Sequence, residues 1–193
     1  MATTGSATAN RRKSVDIDEY VRAAGGLSIS HPGGNLASHL ARVAVRLSRW
    51  QMRQEVVDAG HLHAVYGTDG FGHTVKDHGA RQVIVDLIGA EAEDLIFLYC
   101  RCDREASYPS WGSEEPFVVD REEGQTIGIS EKQRQALINI TVANEIDVLD
   151  HDTDLMRQHG DKLAILFGHW RPWLTRPGLT DLNDWMSRRL NSK

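Results

Sequence analysis

The sequence predicts an all-α protein, a helical bundle with one small β-hairpin. Apolar residues recur at helical spacing in several segments, and glycines or capping residues separate these segments. Only one stretch, 117–130, has the short apolar runs and central turn that favour strands. The chain of 193 residues, 40% hydrophobic and 25% charged, is long enough to bury the core of one globular domain.

The first three predicted helices lie between residue 16 and Gly67. Asp16 to Ala24 indicate a short helix that ends at the glycine pair 25–26. After the turn "SHPGGN", Asn35 is the predicted N-cap of a second helix, with His39 on its apolar side. The other residues of that side are Leu36, Leu40, Val43, Leu47 and Trp50. A third helix is predicted from about Gln51 to Tyr66, where it would stop at Gly67.

The middle of the chain contains a polar loop, two helices and the hairpin. The loop "TDGFGHTVKDHG" is rich in Gly, Asp and His, which makes it a candidate substrate loop. Residues 79–89 and 90–103 are predicted as two helices separated at Gly89. In "FVVDREEGQTIGIS", apolar runs on either side of "EEGQ" indicate the hairpin.

A long helix and two shorter ones are predicted for the rest of the chain. Ser130 and Gln133 have the spacing of a capping box that opens the long helix over 131–150. Its apolar stripe includes Leu137, Ile140 and Val148, with Asn144 in the middle. Helices around 153–168 and 180–190 follow, with the tryptophan-rich segment "GHWRPWLTRPG" between them.

Composition and charge narrow the domain organisation and the class of protein. The small, polar residues 1–14 predict a disordered tail, and residues 15–193 predict a single domain with its core at about 30–150 and C-terminal helices at 151–193. A net charge of -5 with scattered basic residues argues against nucleic-acid binding, and no run is apolar enough for a membrane span. We therefore expect a cytoplasmic protein with a small-molecule partner, and a homodimer is compatible with these features.

Helical geometry predicts the relative orientation of the two cysteines and of the histidines at 61 and 63. Cys100 and Cys102 are two residues apart, so on a helix they point away from each other, and we expect packed, reduced thiols. His61 and His63 would be separated by about 200° around a helix. They would not chelate one metal ion, and His61 is expected at the surface.

Three polar residues lie on otherwise apolar helical faces: His39, His63 and Asn144. A buried polar group costs free energy unless it finds a partner. We therefore expect these three side chains to converge on one another or on a common ligand.

The order of "NLASHLARV", "AGHLHAVYGT" and "ITVANEIDVLD" resembles that of the HD-domain superfamily. It is most similar to the hydrolase domain of the alarmone enzymes and to an uncharacterised HD-like family, in which "HPGGNLASHL", "HAVYGT" and the region of Arg81 are the recognisable parts. The resemblance covers roughly residues 30–150 and implies an all-α fold in which two histidines and two aspartates hold a divalent metal ion.

In this resemblance His39 matches the first histidine and His63 the histidine of the His-Asp pair. Ala64 stands where the aspartate of the pair is expected, and Asn144 stands where the final aspartate is expected. Gly67 and Thr68 replace the paired acidic residues of the alarmone hydrolases. Hard ions such as Mg²⁺ prefer carboxylates, so a standard metal-dependent phosphohydrolase is not expected.

The favoured prediction is a small-molecule enzyme without a metal cofactor. His39 or His63 would be the general acid or base, since imidazole titrates near neutral pH, and Tyr66 would donate to a developing oxyanion. Asn144, Arg81 and Thr68 would bind the substrate. The reaction type, whether that of a hydrolase, lyase, isomerase or cyclase, is left open.

Two alternatives remain at the level of the sequence. In the first, His39 and His63 hold Fe, Zn or Ni together with loop residues His73 and His78 and either Asp69 or Asp77. In the second, the chain is a non-catalytic HD-like module that binds a ligand or a protein partner. Trp170 and Trp173 would then be candidate interface residues.

Overall fold

The computed structural model describes residues 16–69 and 81–191, with side chains as far as residue 189. Within this part of the chain the protein is a bundle of nine α-helices with two small two-stranded sheets. The helices are α1 (16–23), α2 (Leu36–Arg49), α3 (Gln54–His61), α4 (Arg81–Ile88), α5 (Ala90–Arg101), α6 (Arg104–Ser107), α7 (Glu131–His151), α8 (Thr153–Trp170) and α9 (Arg176–Asn191). Short 3₁₀ helices cover Tyr108–Gly112 and Arg171–Trp173.

The two sheets are antiparallel hairpins. Strands β1 (Ser30–His31) and β2 (Gly34–Asn35) precede α2, and β3 (Phe117–Val119) pairs with β4 (Thr126–Gly128) so that Val118 lies opposite Ile127. The prediction of an all-α fold with a hairpin in 117–130 is therefore confirmed. The hairpin β1–β2 was not predicted, since its strands are two residues each and lie within the segment assigned to a turn.

Side-chain caps place α2 and α7 where the sequence predicts them. The side chain of Asn35 accepts a hydrogen bond of 2.9 Å from the Ser38 amide at the start of α2. Ser130 and Gln133 form the reciprocal capping box at the start of α7. Each cap satisfies amide groups that have no partner within the helix.

Helix α7 is the centre of the bundle. It packs against α2, α3, α5 and α8, and side chains on all sides of it are buried between Arg134 and Leu149. Helix α2 packs in turn against α3, with Leu36, Leu40, Val43 and Leu47 almost fully buried. This arrangement brings His39 of α2 against the second half of α7.

Helix α3 is shorter than predicted. It ends at His61, and the chain continues through turns over residues 62–66. The prediction of a helix to Tyr66 is wrong, and with it the argument that His61 and His63 point to opposite sides of one helix. His61 is also buried rather than at the surface. It packs against α1, where its Nε2 lies 3.0 Å from Oδ1 of Asp18. Helix α9, in contrast, is longer than predicted, since it begins at Arg176 and not at about residue 180.

The tryptophans of the segment "HWRPW" belong to the packed interior. Trp170 is 1% exposed and stacks on Trp111 with ring centroids 5.3 Å apart. Trp173 is half-buried beneath the guanidinium of Arg134, 4.3 Å from its ring centroid. Trp170, a candidate interface residue under the binding-module alternative, is therefore not accessible to a partner, since its indole fills the space between α8 and the 3₁₀ helix at 108–112.

Two expectations fall outside the described residues: the disordered tail over 1–14 and the role of the loop residues 70–80. Both cysteines are buried and free, as expected. Among the helices that the structure describes, none is both long and apolar enough to cross a membrane.

The close approach of α2 and α3 depends on Gly60. A Cβ at this position would collide with Cδ1 of Leu47 on α2. Gly60→Ala should therefore lower the free energy of unfolding by about 1 to 3 kcal/mol, as overpacking of a tight core does. Urea denaturation followed by circular dichroism measures this.

Gly168→Ala is the matched control, since a Cβ at Gly168 in α8 would meet no atom within 4 Å. This change should leave stability unchanged or raise it by up to about 1 kcal/mol, because alanine is the better helix former. Equal destabilisation by both substitutions would contradict a specific contact at Gly60.

Candidate functional site

A buried ion pair joins α2 to α7. Nδ1 of His39 lies 2.7 Å from Oδ2 of Asp147, and His39 is completely buried. Arg42, one turn after His39, donates from Nε to Oδ1 of Asp147 at 2.9 Å and from Nη2 to Oδ2 at 2.8 Å. Burial favours protonation of Asp147, but hydrogen bonds from His39 and Arg42 outweigh it and hold the pKa of this carboxyl well below its usual range.

The second nitrogen of His39 faces Asn144. Its Nε2 lies 3.0 Å from Oδ1 of Asn144, while Nδ2 of Asn144 donates to Oε1 of Glu145 at 3.0 Å. Turning the amide over would place its oxygen against the Glu145 carboxylate, so Glu145 determines the amide orientation. Both nitrogens of His39 therefore donate to oxygen atoms, and the ring is paired with Asp147.

His63 lies in the turn after α3 and has the opposite character. Its Nδ1 is 2.8 Å from the carbonyl oxygen of Gly60, which can only accept, so Nδ1 holds the proton. Burial and the nearby charge of His39 lower the pKa of His63 to about 3. The ring is therefore neutral at neutral pH, with a lone pair on Nε2.

Two aromatic rings and one thiol contact His63. Its ring meets those of His39 and Tyr99 edge to face, with centroids 5.3 and 5.5 Å away. The thiol of Cys100 donates to the His63 carbonyl at 3.2 Å, and burial raises the pKa of that thiol to about 12. Cys100 is thus a packed neutral group and not a nucleophile.

The hairpin β1–β2 covers His39. The ring of His31 stacks on that of His39 with centroids 4.0 Å apart, and burial together with the charge of His39 lowers the pKa of His31 to about 4. Arg42 holds the turn by donating to the carbonyl oxygen of Pro32 at 3.0 Å. Gly33 has φ of 77°, and a Cβ there would lie 2.6 Å from the ring of His151, so glycine is needed at this turn.

A cavity of about 880 Å³ lies beside this cluster, between the second half of α7 and α8. His31, His63, Thr68, Asn144 and Arg104 are among the polar residues of its wall. Its apolar wall is formed by residues of α7 and α8, namely Val148, Leu149, Leu155, Leu163, Ile165 and Leu166. A cavity of this size with an apolar wall and a few polar groups is typical of small-molecule sites.

The predicted convergence of His39, His63 and Asn144 is present in the structure. His63, Asn144 and Thr68 line the cavity, and Ala64 lies beside His63 in its wall. His39 does not line it, because His31 covers the ring and both its nitrogens are bonded. His39 therefore contacts the site through Asn144.

Two predicted site residues lie elsewhere. The hydroxyl of Tyr66 donates to Oε1 of Glu93 at 3.0 Å, and Arg81 donates from Nε to the same oxygen at 2.6 Å. Glu93 is 1% exposed and belongs to α5. In the described residues neither Tyr66 nor Arg81 lines the cavity, because burial of the Glu93 carboxylate requires both as partners.

The sequence interpretation missed the residues that complete the site. Asp147 lies three residues after Asn144 and thus on the same face of α7, a spacing that could have revealed it. His31 stands in the segment that was assigned to a turn. Arg104 and Glu145 pair at 3.1 Å in the cavity wall. They are 41 residues apart in sequence, so no local pattern predicts that contact.

The described residues do not fit the metal centre that the HD resemblance implies. His39 donates from both nitrogens, Ala64 has no ligand atom, and Asn144 Oδ1 already accepts from His39. Within the described ranges no group of three or more His, Cys, Asp or Glu side chains is placed to hold a metal ion. The alternative ligands His73, His78 and Asp77 lie outside those ranges.

Comparison with known proteins gives one match. Residues 20–104 match a family model described as a domain of unknown function, DUF6817. No curated protein and no solved structure matched the chain. The matched segment contains His31, His39 and His63 but ends before α7, so it leaves out the Asn144 and Asp147 half of the cluster.

The ion pair at Asp147 should contribute strongly to stability. Asp147→Asn leaves His39 and Arg42 without their shared counter-charge, and we expect the free energy of unfolding to fall by about 3 kcal/mol. Urea denaturation at neutral pH is the measurement. Asp150→Asn, in the half-exposed pairs with Arg46 and Arg188, should cost less than about 1 kcal/mol. Similar losses in both variants would contradict this account.

The neutral state of His63 should make stability depend on pH. Folding lowers its pKa from 6.5 to about 3, so below pH 6.5 the unfolded chain binds a proton that the native chain does not. The contribution of this group to the free energy of unfolding is fully present above about pH 6.5. It falls on acidification, by about 2 kcal/mol between pH 7 and pH 5. His63→Gln should reduce that loss in urea denaturation at the two pH values, whereas His159→Gln, at an exposed position, should not.

Proposed function

We propose that the protein binds a small molecule in the cavity between α7 and α8 and acts on it by proton transfer at His63. The observation that carries this proposal is the position of His63 in the cavity wall with one nitrogen tied to the Gly60 carbonyl. Its other nitrogen is left with a lone pair that no described side chain uses. A buried, oriented imidazole beside an apolar cavity is the arrangement that general base catalysis requires.

The low pKa of His63 determines which step it can perform. The neutral ring is the starting state, so Nε2 would accept the proton of a bound hydroxyl or N–H group. As negative charge develops on that group, it would stabilise the imidazolium and raise its pKa. Asn144 and Thr68, in the same wall, supply hydrogen-bond donors that would orient the bound group.

His39 would be a positioning residue in this proposal. It touches Asn144 and the ring of His63 and does not line the cavity. His39 is bonded to Asp147 at Nδ1 and to Asn144 at Nε2, so the His39–Asp147 pair fixes the orientation of the Asn144 amide. The acid-base role that the sequence suggested for His39 is therefore assigned to His63.

We also propose a relation to the HD superfamily. Its support is that α2, the end of α3 and α7 bring together His39, His63 and Asn144, the three positions that the resemblance aligns with HD metal ligands. At this position the structure pairs His39 with the carboxylate of Asp147. Both observations, the three aligned positions and the pair between His39 and Asp147, are explained if the protein descends from the HD fold but carries out chemistry that does not use the HD metal.

A non-catalytic binding protein is the second candidate. The pKa of about 3 at His63 favours it, because a base with so little proton affinity in the free protein is a weak catalyst. In that case the same cavity would hold a ligand without changing it. The two candidates differ in the fate of the bound molecule.

Binding in the cavity can be tested with a fluorescent probe. N-phenyl-1-naphthylamine is neutral and apolar, and its emission should increase and shift to the blue when it enters the cavity. Leu163→Arg places a charge in the apolar wall of α8 and should weaken binding at least about tenfold. Val83→Arg is the control, since Val83 is 51% exposed on α4 and does not line the cavity. Equal binding by both variants would place the probe elsewhere.

Catalysis can be tested with a small-molecule extract and untargeted mass spectrometry. A compound that disappears with the wild-type protein, with a product that accumulates, should persist with His63→Gln. It should still react with Glu115→Gln, an exposed position outside the cavity. If the protein instead retains a compound unchanged and no compound is consumed, the binding protein is the correct description.

A further inference from the structure

The site selects hydrogen-bond donors through His63. Nδ1–H donates to the carbonyl oxygen of Gly60 at 2.8 Å, and with the ring neutral Nε2 can only accept. A ligand atom opposite Nε2 therefore has to bring a hydrogen atom. A carboxylate or a doubly ionised phosphate has none and would place its lone pairs against that of the ring.

The charges next to His63 also disfavour an anion. The cavity wall around Arg104 contains three acidic residues, Asp69, Glu105 and Glu145. Oδ2 of Asp69 accepts from the Arg104 amide at 3.1 Å, and Glu145 accepts from Nη1 of Arg104 at 3.1 Å. With Glu105, the next residue after Arg104, the three carboxylates and one guanidinium have a formal charge of -2.

Arg104 is not available as an anion receptor. Its Nη1 donates to Glu145 at 3.1 Å and its Nη2 to the hydroxyl of Tyr99 at 3.4 Å. Its Nε has no hydrogen-bond partner among the described residues, but this atom is buried and has no exposed surface. A carboxylate or phosphate would have to displace Glu145 to gain a bidentate contact. The displaced Glu145 would leave Asn144 Nδ2 without its acceptor.

Three further basic residues lie on the outer wall of the cavity. Lys162, His159 and His169 are exposed on α8. Exposed charges are screened by solvent and salt, so they impose little selection on a bound group. Between them and His63 the wall is apolar, formed mainly by leucines of α7 and α8. The body of the ligand that contacts this wall should be apolar as well.

We infer that the cavity takes a neutral amphipathic molecule, with an apolar body along α7 and α8 and a hydroxyl or N–H group that donates to Nε2 of His63. This inference rests on the proposed function and names its class of ligand. It excludes acids and phosphate esters as preferred ligands. The selection comes from two independent features, the acceptor-only state of His63 and the acidic group around Arg104.

Three probes with similar apolar bodies separate these features. 1-Heptanol is a donor, its isomer hexyl methyl ether is neutral without a donor, and heptanoate is an anion without a donor. Their dissociation constants are obtained by displacement of N-phenyl-1-naphthylamine at pH 7.5. We expect heptanol to bind about fivefold more tightly than the ether, the effect of one hydrogen bond, and at least about tenfold more tightly than heptanoate.

Two variants assign the effects to residues. His63→Phe should abolish the preference for the alcohol over the ether, whereas Val83→Phe, at an exposed position of α4 outside the cavity, should keep it. Glu105→Gln, at an exposed wall position, should narrow the gap between alcohol and carboxylate, whereas Glu115→Gln, exposed outside the cavity, should not. If His63→Phe does not fold, the comparison of the three probes on the wild-type protein still tests whether the cavity prefers a neutral hydrogen-bond donor.

The outcomes separate this inference from the proposed function. Equal binding of alcohol and ether, or tighter binding of heptanoate, would overturn the ligand class and leave the cavity as a binding site. Failure of N-phenyl-1-naphthylamine itself to bind would overturn the proposed function. A preference for heptanol that is lost in His63→Phe supports both.

Discussion

The contact between His39 and Asp147 is the interaction on which the rest of the site depends. It joins α2 to the central helix α7 across 108 residues of sequence, at 2.7 Å and out of contact with solvent. Asp147 also holds Arg42, which in turn fixes the turn between β1 and β2. A buried carboxylate is tolerated only with such partners, so the geometry of three elements is determined together.

That ion pair gives two neighbouring histidines opposite roles. His39 faces two oxygen acceptors, whereas His63, with its ring centroid 5.3 Å away, has one carbonyl partner and is neutral. The electrostatic effect of the His39 ring contributes to the lowered pKa of His63. The result is a hydrogen-bond acceptor at the wall of an apolar cavity.

Much of the site was visible in the sequence, but not its organisation. Periodicity placed His39 and Asn144 on apolar faces, and the need of buried polar groups for partners predicted their contact. Tyr66 was predicted in the same site because a continuous helix would place it one turn from His63, and Arg81 because its guanidinium can pair with a carboxylate or phosphate. Glu93 of α5 instead accepts hydrogen bonds from both. Asp147 was overlooked because a carboxylate near the end of a helix is ordinarily exposed.

Local patterns alone were sufficient for the helical class, the caps at Asn35 and Ser130, the break at Gly89 and the hairpin at 117–130, because each depends on residues only a few positions apart. Tertiary contacts decided the rest. Helix α3 stops at His61, His63 turns its ring toward His39, and Trp170 is buried against Trp111, all through partners distant in sequence. The neutrality of His63 belongs to this second group, since protonation follows from the atoms that surround the ring.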